Sequence, residues 1–154
     1  MALRIIAKEG DECLRKVAKP VTKFDEKLGQ LLDDMAETMV EANGVGLAAP
    51  QVSVLRRAVT IDVGEGVIEL VNPEIISKGG SIEDAEGCLS FPGQYGMVTR
   101  PEKVAVRAYD RHGKEFVMEG EGLLARAFCH EIDHLEGIVF KDLVSRMCTP
   151  EELE

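Results

Sequence analysis

Residues 130–134 read His-Glu-Ile-Asp-His, and no other stretch restricts the fold of this chain as tightly. Residues four apart on an α-helix lie one turn apart on one face. In a helix, His130 and His134 therefore stand side by side. Leu123, Leu124, Ala127 and Phe128 run ahead of them, an apolar lead-in that predicts a buried helix. Two imidazoles and two carboxylates inside a core are costly unless something pairs with them. A divalent metal ion is the simplest partner, because neutral imidazole nitrogens bind it. Glu131 flanks the same face, where a carboxylate can take a proton from water. Asp133 is either a support for a ligand or a salt-bridge group. The plainer alternative is an accidental pentapeptide on an exposed helix.

Two imidazoles leave a metal site short of ligands. Downstream of His134, Glu136 is too near to fold back, and Glu151, Glu152 and Glu154 lie in a polar tail. The third ligand should come from upstream, and the best candidate is Cys88 in Glu86-Gly87-Cys88-Leu89-Ser90. This segment reads as a glycine-containing loop, constrained beyond by Pro92 and Gly93. A small buried cysteine is the alternative. A third segment, Gly44-Val45-Gly46-Leu47-Ala48-Ala49-Pro50-Gln51, has small residues that let a backbone approach a ligand. Gln51 has an amide N–H to offer a carbonyl oxygen. Otherwise the segment is a tight helix-to-strand connection.

Around these segments the expected elements are helices, then strands, then a helix. Asp11 is placed to cap a short helix over residues 11–18, ended by Pro20. Leu28, Leu31, Leu32, Met35, Met39 and Val40 recur at helical spacing over residues 24–42, which Asn43-Gly44 stops. Residues 57–63 and 67–72 read as a hairpin around Gly64-Glu65-Gly66, with a short strand at 74–78. Residues 103–110 and 115–119 read as strands joined by a turn at Arg111-His112-Gly113. The last helix spans 122–136, with Gly137 past its end. No helical crossover separates the strands, so they should be antiparallel. The chain of 154 residues is thus expected to be a single domain of α+β class. Its antiparallel β-sheets should pack around a central C-terminal HExxH helix, with helices at the N-terminal side.

Composition narrows the function classes. Hydrophobic residues make up 45%, Trp is absent and aromatics are 5%, so the core must be aliphatic. A net charge of −10 argues against binding nucleic acid or anionic membranes through general electrostatics. The N-terminus turns charged too early for a secretory signal, and no apolar run approaches membrane-spanning length. Cys13, Cys88, Cys129 and Cys148 are scattered, as expected of free thiols in a reducing cytosol.

Together, GVGLAAPQ at 44–51, EGCLS at 86–90 and HEIDHLEG at 130–137 resemble the peptide deformylase family, which shows these motifs in this order. The resemblance runs over residues 3–143. It implies a cytoplasmic hydrolase that removes the N-formyl group from the initiator methionine of nascent chains, releasing formate. Its partners would be an N-formylmethionyl peptide and, transiently, the ribosome. By motif match, Cys88, His130 and His134 would hold one divalent ion, natively Fe²⁺, with Zn²⁺, Ni²⁺ or Co²⁺ able to replace it. Glu131 would be the general base and acid. The Gln51 side chain and the Leu89 backbone N–H would stabilise the oxyanion.

A methionine side chain needs an apolar pocket, for which Val45, Leu123 and Ala127 are candidates; core packing is their other reading. Backbone groups near Gly46 and Gly87 would pair with the peptide as an added strand. Cys129 stands where many relatives have Gln, to one side of the ligand face. Arg126 stands where an aliphatic residue is common, and either lines the pocket rim or snorkels to solvent. Glu86 and Arg100 are either an ion pair that fixes the cysteine segment or two solvated charges. His112 is expected at the surface. The chain ends soon after the last helix, without the long C-terminal helix of some members, so ribosome docking through such a helix is not expected.

Two competing readings remain. An HExxH zinc peptidase would need a downstream third ligand and would leave EGCLS and GVGLAAPQ unexplained. A catalytically silent metal-binding regulatory protein would have no need of Glu131 or Gln51.

Overall fold

A computed structural model describes residues 2–153. In chain order the main elements are α1 (Glu26–Glu41), β1 (Gly46–Ala48), β2 (Ala58–Ile61), β3 (Ile68–Gly79), β4 (Ile82–Cys88), β5 (Phe91–Arg100), β6 (Lys103–Tyr109), β7 (Glu115–Glu121), α2 (Leu123–Leu135) and β8 (Arg146–Met147). Five strands form one antiparallel sheet in the order β1-β2-β3-β6-β7, and three form another in the order β4-β5-β8. The expected α+β class is what the chain adopts.

Side-chain alternation explains how the helices sit. On β2, Ala58 joins a cluster with Leu28, Leu31, Leu32, Met35 and Met39 of α1. Val59 and Ile61 point the other way, into a cluster with Ala125, Phe128 and Leu135 of α2. On β1, Leu47 goes to the first cluster and Ala48 to the second. These strands are therefore sandwiched between the helices, and all four residues of β2 are buried. Each large aliphatic or aromatic side chain so placed contributes roughly 1.5–3 kcal/mol. The helix carrying His130 is central for this reason.

The ends of the helices reflect local chemistry. Asp25 Oδ1 accepts from Leu28 N–H (3.1 Å) at the start of α1. At its end Asn43, not Gly44, takes the left-handed position, with φ 57°. Asn43 N–H then bonds Val40 O and Gly44 N–H bonds Met39 O.

Three expectations need correction. The first helix is one 3₁₀ turn, Glu12–Arg15, because the Asp11 carboxylate accepts from Lys8 N–H (2.8 Å) instead of capping the turn. The strands expected at 67–72 and 74–78 are one strand, β3, irregular around Asn72-Pro73. Proline there cannot donate to a ladder, which is why the break reads as an end. The segment around Cys88 is no loop: β4 and β5 pair over its whole length and turn at Leu89-Ser90.

Candidate metal centre

Cys88 ends β4, just after a register shift between Gly87 and Cys88 in the pairing with β5. His130 and His134 occupy successive turns of α2. Cys88 Sγ lies 3.3 Å from His134 Nε2, and the two imidazole Nε2 atoms are also 3.3 Å apart. The donor atoms of all three residues fall within 4.8 Å of one another. A tetrahedral ion with bonds of about 2.0–2.3 Å spaces its donors about 3.3–3.6 Å apart. The cluster has the size and the soft sulfur–nitrogen chemistry of such a site. It is also the only grouping of three or more metal-ligating side chains among the described residues.

The charges around it act unequally on the two imidazoles. Burial opposes a proton on His130, yet Glu131, Cys88 and Glu86 outweigh burial and raise its pKa well above the ordinary value. Burial, followed by the charge of His130, depresses His134. The two imidazoles are thus pushed in opposite directions, His130 by the anionic groups around it and His134 by burial beside His130.

Glu86 organises the centre from β4. Burial alone would raise its carboxyl, but hydrogen bonds from His130 and Arg100 hold it well below the usual carboxylate range. Its Oε2 accepts from His130 Nδ1 (2.6 Å), which leaves the His130 Nε2 lone pair free to face Cys88 and His134. Arg100 donates to both oxygens of Glu86, from Nε (3.1 Å) and Nη2 (2.7 Å), and from Nη1 to Asp133 (2.7 Å). The Glu86–Arg100 pair is buried, and Asp133 is a salt-bridge group. The link from Glu86 to His130 is not among the sequence-based expectations. Its signal is present, since residues two apart on a strand share a face, but the glycine and proline of this segment make it read as a loop.

The glycine-rich segment closes the other side. A Cβ on Gly46 would collide with Glu131 Oε2, and one on Gly44 with Leu89 Cδ1. Glycine at these positions lets β1 reach the helix and the β4–β5 turn. Glu131 Oε1 is buried without a hydrogen-bond partner, and burial raises the carboxyl to about 7. Gln51 is buried; its Oε1 accepts from Ala48 N–H (2.9 Å) and its Nε2 donates to Ser90 Oγ (3.0 Å), 3.5 Å from Cys88 Sγ. Gln51 thus faces the sulfur across the gap between the motifs. Ser90, its partner, carried no signal in the sequence.

A cleft of about 560 Å³ opens over the cluster, lined by Val45, Gly46, Gly87, Leu89, Leu123 and Ala127. Ala127 is buried, whereas Val45 and Leu123 are exposed at the mouth. Ile6 and Tyr95 also line it, and sequence periodicity could not have placed either. Arg126 lines it too, but its guanidinium is bonded inward rather than to solvent. Cys129 is buried away from the cleft in the cluster behind the helix, and His112 is exposed in a turn.

The family model for polypeptide deformylase matches residues 3–149. The chain belongs to the peptide deformylase family. It is 64% identical to the peptide deformylase of Caldicellulosiruptor bescii, over 100% of this chain and 93% of that one. It is 58% identical to that of Acetivibrio thermocellus, over 100% and 91%. Among solved structures, the Legionella pneumophila peptide deformylase superposes with a TM-score of 0.90 at 53% identity, covering 93% of this chain and 86% of that one. The Thermotoga maritima enzyme gives 0.91 at 43% identity, covering 93% and 98%. Membership in this deformylase family sets the peptidase reading aside: the chain is a hydrolase of protein N-terminal processing. Among the described residues, no helix is long and apolar enough to cross a membrane.

Proposed function

We propose that this deformylase-family protein hydrolyses the N-formyl group of N-formylmethionyl peptides at a centre held by Cys88, His130 and His134. The observation that carries the reading is the convergence of one sulfur and two imidazole nitrogens within 4.8 Å, beside a buried carboxylate with a free oxygen. When bound, a divalent cation supplies Lewis acidity and lowers the pKa of water to about 7. Fe²⁺ is the native ion in this reading, with Zn²⁺, Ni²⁺ or Co²⁺ as substitutes.

The chain's own residues do the rest. Glu131 takes a proton from the attacking water and returns it to the leaving nitrogen as the C–N bond breaks, giving formate and a free N-terminus. Gln51 Nε2 and Leu89 N–H stabilise the charge that builds on the formyl oxygen; losing one such donor costs roughly a hundred- to a thousandfold in rate. Ala127 floors the pocket for the methionine side chain, with Leu123 and Val45 at its rim. Backbone groups at Gly46 and Gly87 pair with the peptide. The protein acts in the cytoplasm, in transient contact with the ribosome from which its substrates emerge.

The test is formate release from formyl-Met peptides by anaerobically purified protein. Glu131→Ala should retain metal and lose activity by about a hundred- to ten-thousandfold. Full activity in that variant would remove Glu131 from the reaction. Cys88→Ala should lose bound metal, and an unaltered metal content would count against the sulfur as ligand.

A further inference from the structure

Arg126 lies one turn before His130 on α2, and its side chain is only 11% exposed. A guanidinium this buried persists only where it is paired and hydrogen-bonded. Nη1 donates to Glu86 Oε1 and to Val98 O, and Nη2 donates to Ile82 O, each at 3.0 Å. Ile82 and Glu86 belong to β4, which carries Cys88, and Val98 belongs to β5, its partner. Arg126 itself belongs to the helix that carries both imidazoles. One planar fork thus fastens the sulfur-bearing hairpin to the imidazole-bearing helix. A fork can do this because its donors diverge at fixed angles.

The same bonds complete the environment of Glu86. Its two oxygens take four donors: Arg100 Nε and Nη2, Arg126 Nη1 and His130 Nδ1. Arg100 comes from the strand and Arg126 from the helix, so Glu86 is gripped from both sides. An aliphatic side chain at 126 could line the cleft equally well. It would leave Glu86 with three donors, and the hairpin tied to the helix only through Glu86–His130 and Arg100–Asp133, without the bonds to Val98 O and Ile82 O.

We infer that Arg126 is a positioning residue of the metal centre, fixing the spacing between Cys88 and the imidazoles and so the hold of the site on a divalent ion. This rests on the reading of Cys88, His130 and His134 as ligands. The experiment uses zinc-loaded full-length protein and monitors transfer of zinc to an excess of chelator, with kcat and KM for formyl-Met peptides measured alongside. Arg126→Met keeps an unbranched stem on the cleft wall and removes the fork. It should release zinc about tenfold faster than wild type, with KM moving by less than the release rate does. Arg126→Lys keeps the charge without the fork and should also release zinc faster; it carries the test if Arg126→Met fails to fold. Zinc release as slow as wild type in the folded variants overturns the inference. That holds if KM alone rises, which would make Arg126 a cleft wall, and if only the melting temperature of metal-free protein falls. Wild-type zinc content in His130→Ala or Cys88→Ala would instead overturn the ligand assignment beneath it.

Discussion

A buried carboxylate oxygen without a partner is costly, and Glu131 Oε1 is one of few such atoms among the described residues. Its other oxygen rests against the bare α-carbon of Gly46. Gly46→Ala should therefore push the carboxylate aside while leaving Cys88, His130 and His134 in place. A displacement of about 1 Å at a reacting group can cost about a hundredfold. The expected result is that loss in kcat with normal metal content; unchanged kcat would show that the carboxylate has room to move. At this scale the sequence was most legible where spacing alone fixes geometry. His130 and His134 could be placed because a helix repeats every turn. The partners of Gln51 could not, because they depend on how distant segments cross.

Among the elements, the hairpin of β4 and β5 is where sequence reasoning fell short, and the cause is specific. Its buried side chains include Glu86 and Arg100 in place of the apolar alternation that marks a strand, and Gly87, Pro92 and Gly93 imitate a loop. The helices were legible because their apolar faces are regular. Removing one partner of a buried charge network typically costs about 3–5 kcal/mol. Arg100→Met, which leaves Asp133 without its ion-pair partner and Glu86 with only Arg126 and His130, should show a loss of that size in urea unfolding of metal-free protein. Glu86 adds a pH dependence of its own, because its folded pKa lies below its ordinary value of 4.5. Its contribution is complete above that value and fades as pH falls toward the folded pKa. The gap in stability between wild type and Glu86→Gln should narrow in acid; a gap that widens would mean that Glu86 is not held as a carboxylate.

For the whole molecule, ligand binding is folding energy, since an unfolded chain has no preformed site. A free ion at a thousand times its dissociation constant adds about 4 kcal/mol, or roughly 8–16 °C in melting temperature for a chain of this size. Stripping the ion with a chelator should lower the midpoint by that order, and re-addition of zinc should restore it. A melting temperature indifferent to chelation would mean that the three donors do not act together. The division of those donors has a further bearing on biosynthesis. The thiol arrives with the β4–β5 hairpin and both rings arrive later with α2, which comes after seven strands in the chain. With the proposed ligands, a nascent fragment lacking that helix would hold one donor of three and no Glu131, so the protein would stay mute until most of it had been made.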